Sequence, residues 1–144
     1  MSDRQRVVID TSTLIGAILR PDSVPRQALL TALGSYELAA CVATLHELRE
    51  VLQQPKFERY MPLQARLDFL ALVSRHAHLV EVDAASEQAA SGACRDVNDA
   101  KFLARALACH AVALITSDAD LLVLHPWHGV PILTPAAFLQ PMGE

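Results

Sequence analysis

The sequence predicts an α/β fold with a parallel sheet, because short apolar runs alternate along it with segments of helical apolar spacing. Its 144 residues and 52% hydrophobic content indicate a globular core and exclude an intrinsically disordered chain. The longest unbroken apolar run, Leu38 to Ala43, is far shorter than the roughly 20 residues of a membrane-spanning helix. We therefore expect one domain over residues 1–144 and no membrane partner.

Strand and helix signals follow one another from the start of the chain. Arg6–Asp10 contains the β-branched run VVI and is predicted to be a strand. A short helix is predicted over Ser12–Leu19, and a second from near Ser23, with Pro25 in its first turn and Gly34 as its C-terminal cap. The later strands are predicted at Tyr36–Val42, Leu79–Val82, Val112–Thr116 and Val130–Leu133, and the later helical segments at Thr44–Gln54, Lys56–Tyr60, Leu63–Ser74, Asp99–His110, Asp118–Leu122 and Pro135–Leu139.

Two of these segments differ in how clearly the sequence defines them. Ser86–Arg95 is rich in alanine but is interrupted by Gly92, and its structure is not decided by the sequence. At the other extreme, Thr134 and Pro135 supply an N-cap and a proline for the first helical position, which favours a final short helix.

Charge and cysteine content limit the class of protein. Twelve Lys and Arg against sixteen Asp and Glu give a net charge of −4, which argues against a strongly basic nucleic-acid-binding surface. It does not exclude a nuclease, because a metal site needs acids of its own. The three cysteines are an odd number without a CxxC motif, which favours the reducing cytoplasm.

Four acids stand where an open parallel sheet places its functional residues, beyond the carboxyl ends of the strands. Asp10 ends the first predicted strand, Asp118 follows the fourth, and Glu47 lies early in the helix after the second. Asp99, with Asp96 one turn before it, begins the helix that leads into the fourth strand. If the strands are parallel neighbours, these carboxylates converge at one edge of the sheet.

Such a convergence favours a divalent cation. Mg²⁺ and Mn²⁺ prefer carboxylate oxygens and water as ligands. Carboxylates packed together without metal repel one another, which raises their pKa values. One or two such ions can bind a phosphodiester, lower the pKa of a water and stabilise the leaving oxygen.

Each acid also has a purely structural interpretation. Asp10, Asp96 and Asp118 could cap the helices that follow them. Thr44 and Glu47 fit a capping box, in which the glutamate bonds back to the N-cap amide. Asp99 favours function more strongly, because it heads the apolar stripe of its helix, where an unpaired carboxylate is costly.

At these residues the chain resembles the PIN-domain family, which includes VapC-type toxins and RNA-processing nucleases. The matching stretches are VVIDTSTLIGAIL, HELREVLQQPKF, CRDVNDAKFLARALA, ALITSDADLL and PILTPAAFL, which together span most of the chain. The family's acids correspond to Asp10, Glu47, Asp99 and Asp118, with Asp96 as a further member. Cys41 and Ser12 stand where the family commonly has Ser and Asn.

The resemblance implies a three-layer α/β/α sandwich and Mg²⁺- or Mn²⁺-dependent cleavage of RNA. It also implies a homodimer and a small antitoxin partner, as in a type II toxin–antitoxin pair. We therefore expect a cytoplasmic endoribonuclease in which the four acids hold metal directly or through water, and a metal-bound water attacks phosphorus.

Polar residues beside the acids complete the expected site. The hydroxyls of Thr11, Ser12 and Ser117 could orient metal-bound water or phosphate. Setting the four site acids aside leaves twelve acids against twelve bases, so RNA must be held by a local cluster. Arg20 and Arg95 border the loops expected to rim the site and are the predicted phosphate contacts. Lys101 and Arg105 are predicted to lie on the face of their helix opposite Phe102 and Leu103, either as another RNA path or as solvated surface charges.

Two other functions agree with part of this pattern. A phosphatase of the haloacid dehalogenase type would use Asp10 as a nucleophile, but it needs a second aspartate where this chain has Ser12. A non-catalytic PIN-like module that binds RNA or a protein is the second alternative, and the presence of all four acids argues against it.

Overall fold

A computed structural model describes residues 4–140 of the chain. Five strands form one sheet in the order β3-β2-β1-β4-β5, and every neighbouring pair is parallel. The strands are β1 Arg6–Ile9, β2 Glu37–Ala40, β3 His78–Leu79, β4 Ala113–Ile115 and β5 Ile132–Leu133. The predicted α/β class with a parallel sheet is confirmed.

Eight α-helices connect and cover these strands within residues 4–140, and a short 3₁₀ turn lies at Pro55–Phe57. The helices are α1 Thr11–Leu19, α2 Val24–Ser35, α3 Val42–Leu52, α4 Leu63–His76, α5 Ala84–Ala90, α6 Ala100–Ala108, α7 Ala119–Leu122 and α8 Pro135–Phe138. In this part of the chain no helix has both the length and the apolar character needed to cross a membrane.

The sheet lies between two layers of helices because its side chains alternate between its faces. Val7 and Ile9 pack into a core with α1, α2, α3, α4 and α8. Val8 and Leu114 point to the other face and pack with α5, α6 and α7. This is the expected three-layer α/β/α sandwich.

Several element boundaries differ from the prediction. Gly34 does not cap α2, which continues through Ser35 and ends at the extended residue Tyr36. Strand β3 has only two residues, although its pairing extends through a bond from the Val80 amide to the Ala40 carbonyl. The undecided alanine-rich segment begins inside α5, which covers its first five residues and whose N-cap is Asp83.

Strands β1 and β4 lie side by side in the sheet, and this contact positions the acids. Val8 pairs with Leu114 and Ile9 with Ile115. The Asp10 amide extends the ladder by donating to the Ile115 carbonyl at 3.2 Å. The residues that follow the two strands therefore emerge together at the carboxyl edge of the sheet.

Candidate functional site

A cleft of about 280 Å³ opens at the carboxyl edge of β1 and β4. It brings all four predicted acids to one place. Its lining residues are Asp10, Thr11, Ser12, Ile15, Glu47, Asn98, Asp99, Lys101, Phe102 and Asp118. We call it the acidic cleft.

Asp10 is held rigidly at the floor of this cleft. It is 3% exposed, and it is the N-cap of α1. Its Oδ1 accepts a hydrogen bond from the Thr13 amide at 3.0 Å, and its Oδ2 accepts one from the Thr116 hydroxyl at 2.5 Å. Asp10 is therefore a helix cap, as one interpretation predicted, and it also lines the cleft.

Thr116 links Asp10 to Asp118. Its hydroxyl donates to Asp10 and accepts a hydrogen bond from the Asp118 amide at 2.9 Å. Asp118 in turn caps α7, because its Oδ1 accepts from the Asp120 amide at 2.9 Å. One buried hydroxyl thus fixes the loop after β4 against the end of β1.

The surroundings of Asp99 disfavour the ionised form of its carboxyl group. It precedes α6, but its side chain makes no capping hydrogen bond. Burial, a hydrogen bond to Asp118, and the negative charges of Asp118, Asp96 and Asp10 raise the pKa of Asp99 to about 6. Burial contributes most to this shift, and the crowding of the carboxylates adds to it.

Glu47 lies at the cleft but does not form the predicted capping box. Helix α3 begins at Val42 rather than Thr44, so Glu47 lies beyond the first turn, and the Thr44 hydroxyl donates to the Cys41 carbonyl at 3.1 Å. Both Glu47 carboxylate oxygens instead accept from Lys101 Nζ at 3.1 Å. Lys101 thereby brings a positive charge to the edge of the acidic cleft.

The other predicted site residues lie at different distances from the cleft. Thr11 and Ser12 line it, whereas Ser117 is exposed and does not. Asp96 is exposed outside the lining and accepts a hydrogen bond from the Asn98 amide, although its charge contributes to the raised pKa of Asp99.

The two predicted phosphate contacts also lie outside the lining. Arg95 is exposed in the loop before α6. Arg20 caps the C-terminal end of α1 and Asp10 caps its N-terminal end, and the helix between them is roughly 13 Å long. The Arg20 guanidinium lies 5.7 Å from the centre of the Tyr60 ring. Arg95 directly precedes Asp96 in the sequence, whereas Arg20 lies at the opposite end of α1 from Asp10.

The cleft residues fit a divalent cation by their chemistry. Asp10, Asp99 and Asp118 offer hard carboxylate oxygens, and the raised pKa of Asp99 reports mutual repulsion that a cation would relieve. As the side chains stand, no three His, Cys, Asp or Glu residues among residues 4–140 are close enough together to form a metal-binding group.

Sequence reasoning missed or misplaced three residues of this region. Thr116 ends the fourth predicted strand one residue before the loop that carries Asp118, and a polar residue ending an apolar run was the available signal. Asn98 lines the cleft without having been singled out. Arg105 is 3% exposed and does not lie on a solvent face; it is three residues after Phe102, so helical spacing already placed it beside that residue.

Comparison with known proteins agrees with this site. Residues 6–120 match the family model of the PIN domain. A chain of VapBC2 from Rickettsia felis, solved bound to a DNA fragment from the VapBC2 promoter, has a TM-score of 0.63 and 17% identity, over 90% of this chain and 98% of that chain. PAE2754 from Pyrobaculum aerophilum has a TM-score of 0.61 and 15% identity, over 92% of this chain and 85% of that chain.

At such low identities the two solved structures establish the fold. A comparison with curated proteins finds no match. The family model covers most of the chain, however, and PIN domains are generally nucleases. The chain belongs to the PIN-domain family.

Proposed function

We propose that this chain is a Mg²⁺- or Mn²⁺-dependent endoribonuclease, the toxin of a type II toxin–antitoxin pair. The observation that carries the proposal is the meeting of Asp10, Asp99 and Asp118 at one cleft, where burial and the neighbouring carboxylates raise the pKa of Asp99. Carboxylates brought together in a partly buried cleft are expected where a site is built for a cation.

Asp10, Asp99 and Asp118 would hold the metal, with Glu47 acting directly or through water and Asp96 as an additional ligand. When bound, a divalent cation supplies Lewis acidity, lowering the pKa of a water and stabilising charge on phosphate oxygens. Thr116 and the Thr13 amide keep the Asp10 carboxylate in one orientation.

The remaining cleft residues would serve the substrate. The hydroxyls of Thr11 and Ser12 lie at the cleft surface and can donate to phosphate oxygens. Lys101 Nζ lies 3.1 Å from Glu47 and can turn to a phosphate that enters the cleft. Arg95, exposed before α6, would contact the backbone of the RNA farther out.

The partner proposal comes from the fold. VapBC2, whose chain shares this fold, is a two-component assembly bound to promoter DNA. We propose by analogy that this chain binds a small antitoxin, forms a homodimer and acts in the cytoplasm. The three free cysteines are compatible with a reducing compartment.

The test is RNA cleavage by the purified chain in Mn²⁺ or Mg²⁺, compared with Asp10→Asn and with chelator. We expect Asp10→Asn to lower cleavage by a factor of about 100 or more, since losing a metal-binding oxygen removes stabilisation of the transition state. The variant should still fold, because the charge that leaves a repulsive cluster offsets the loss of one of the two hydrogen bonds that Asp10 accepts.

Asp68→Asn is the matched control, because Asp68 is exposed on α4 and its change removes the same charge away from the cleft. It should cleave RNA at the wild-type rate. Wild-type turnover by Asp10→Asn contradicts the assignment of the site. Metal-dependent RNA binding without cleavage by the wild type would favour the non-catalytic module instead.

A further inference from the structure

Cys41 occupies an unusual place next to a second, larger cavity. It follows β2 and is the N-cap of α3, and its side chain is partly exposed. The cavity measures about 690 Å³ and is lined by residues of α3, α5, α6 and the segment after β3. Lys101 lines both this cavity and the acidic cleft. We call it the Cys41 cavity.

The buried side chain of Arg105 contacts the Cys41 sulfur. It is 3% exposed, and its Nη2 donates to Cys41 Sγ at 3.3 Å and to the Thr44 hydroxyl at 3.0 Å. Its Nε has no hydrogen-bond partner, and within residues 4–140 no carboxylate forms an ion pair with it. A buried guanidinium without a counter-charge is costly. The Cys41 sulfur, as a thiolate, is the counter-charge within reach.

Two further features favour the thiolate at this position. The sulfur lies at the N-terminus of the eleven-residue helix α3, where the backbone dipole favours negative charge. Burial alone would raise the pKa of the Cys41 thiol, but hydrogen bonds from Thr44 and the charge and hydrogen bond of Arg105 bring it below the usual value.

The other two cysteines provide internal controls. Cys94 is also partly exposed, but burial and the negative charges of nearby aspartates, Asp99 foremost, raise the pKa of its thiol. Cys109 is buried, and burial raises the pKa of its thiol. Hydrogen bonds and positive charge thus outweigh burial at Cys41, whereas negative charge adds to the effect of burial at Cys94, and at Cys109 burial outweighs the charges of Arg6 and Arg105.

We propose that Cys41 is a nucleophilic thiolate that small hydroperoxides oxidise to a sulfenic acid, with the Cys41 cavity as the entrance for the oxidant. The sulfur attacks one peroxide oxygen, an S–O bond forms and the O–O bond breaks. The sulfur loses two electrons, the peroxide gains them, and the departing hydroxide takes a proton from solvent to become water.

The charges around the cavity select the oxidant. Glu81 and Glu87 line it and are exposed, whereas Lys101 pairs with Glu47 and Arg105 is buried against the sulfur. An anionic reagent would be repelled by the two glutamates, so neutral hydrogen peroxide is the oxidant that fits. The proposal is independent of the nuclease function, because no metal or RNA takes part.

Alkylation of the folded, metal-free chain by neutral iodoacetamide tests the thiolate, with each cysteine followed separately by peptide mass spectrometry. At pH 7 we expect Cys41 to react about ten times faster than Cys94, because its lowered pKa leaves a larger fraction of it as thiolate. The alkylation rate of Cys41 should reach its plateau at a lower pH than the rate of an ordinary free thiol. In denaturant the three rates should converge. Equal native rates at Cys41 and Cys94 overturn the proposal.

Two variants test whether Arg105 and Thr44 cause the reactivity of Cys41. Arg105→Gln keeps donor groups but removes the charge, and Thr44→Val removes one hydrogen bond and leaves Arg105 in place. Both variants should slow the alkylation of Cys41 at pH 7 several-fold and shift the pH profile of this reaction to higher pH. Cys94→Ser should change neither the rate nor the profile. Should Arg105→Gln not fold, Thr44→Val decides the question. Wild-type profiles in the folded variants overturn the proposal.

Hydrogen peroxide with dimedone as a trap tests the oxidation itself. We expect one adduct, at Cys41, and none in Cys41→Ser. Labelling of Cys94 as fast as Cys41, or no adduct at Cys41, overturns the proposal.

Discussion

Arg66 and Arg105 are both buried, yet their surroundings differ in kind. Arg66 on α4 is 1% exposed, and each of its guanidinium nitrogens has a partner. Its Nε and Nη1 donate to the carbonyls of Met61, Leu52 and Gln54, and its Nη2 donates to the Glu58 carboxylate at 2.6 Å. Arg66 thereby ties the end of α3 and the 3₁₀ turn to α4.

Arg105 has a sulfur and a hydroxyl in place of this full set of oxygens, and its Nε donates to no acceptor. The acidic cleft shows the same imbalance with the opposite sign, in the crowded carboxylates of Asp10, Asp99 and Asp118. Among residues 4–140, the acidic cleft and the Arg105 side chain are thus two places where charge is poorly compensated. The buried charge of Arg66, by contrast, is neutralised by Glu58.

Replacing each arginine by methionine is the strongest test of this comparison. We expect Arg66→Met to lower the free energy of unfolding by about 3 kcal/mol, since several buried carbonyls lose their donors. Arg105→Met should cost clearly less, because few bonds are lost and a poorly compensated buried charge is removed with them. Urea denaturation of both variants measures the difference.

Glu58→Gln is the control for Arg66, because the Glu58 side chain is 64% exposed and its ion pair should contribute less than about 1 kcal/mol. Equal losses of stability in Arg66→Met and Arg105→Met would contradict the distinction between the two regions.

The sequence predicted the sheet class and the positions of the acids because both depend on local order along the chain. Asp10 directly follows a β-branched run, and Asp118 follows another apolar run, so parallel pairing was enough to place them together. The pairing of Glu47 with Lys101 joins residues 54 positions apart, and no local pattern reveals it. Arg105 was misplaced because its residue type favoured solvent, although its spacing from Phe102 favoured burial.

The acidic cleft should show its repulsion in the pH dependence of stability. The folded pKa of Asp99 is about 6 against 3.8 as the ordinary value, so between these values the folded state binds more protons than the unfolded state. The free energy of unfolding of the metal-free protein should therefore fall as pH rises through this window.

Asp99→Asn should flatten this dependence and make the metal-free protein more stable at pH 7, as measured by urea denaturation in chelator. Asp68→Asn, an exposed aspartate on α4, should leave the slope as in the wild type. A wild-type slope in Asp99→Asn would mean that the carboxylates are not crowded in solution.

Variants of Glu47 and Lys101 test whether the Glu47 carboxylate only pairs with Lys101 or also binds metal. Glu47→Gln should change stability by less than about 1 kcal/mol, since this ion pair is exposed to solvent. If Glu47 also binds metal, Glu47→Gln weakens Mn²⁺ binding several-fold, whereas Lys101→Met strengthens it by releasing the carboxylate. Calorimetric titration measures both, and unchanged affinity in both variants would leave Glu47 a surface partner of Lys101 alone.

The smallest expected effect concerns the arginines outside the cleft. Each phosphate contact to single-stranded RNA contributes roughly 0.7 to the slope of log K against log salt concentration. Arg95 lies four residues before Asp99 and is exposed, so in an Asp10→Asn background Arg95→Ala should flatten the slope by about that amount. Arg20→Ala should flatten it less, because Arg20 lies at the far end of α1 against Tyr60. Mn²⁺ affinity should stay the same in both, since neither side chain lines the cleft. An unchanged slope in the double variant would place the RNA elsewhere, with Lys101 at the cleft edge as the next residue to replace.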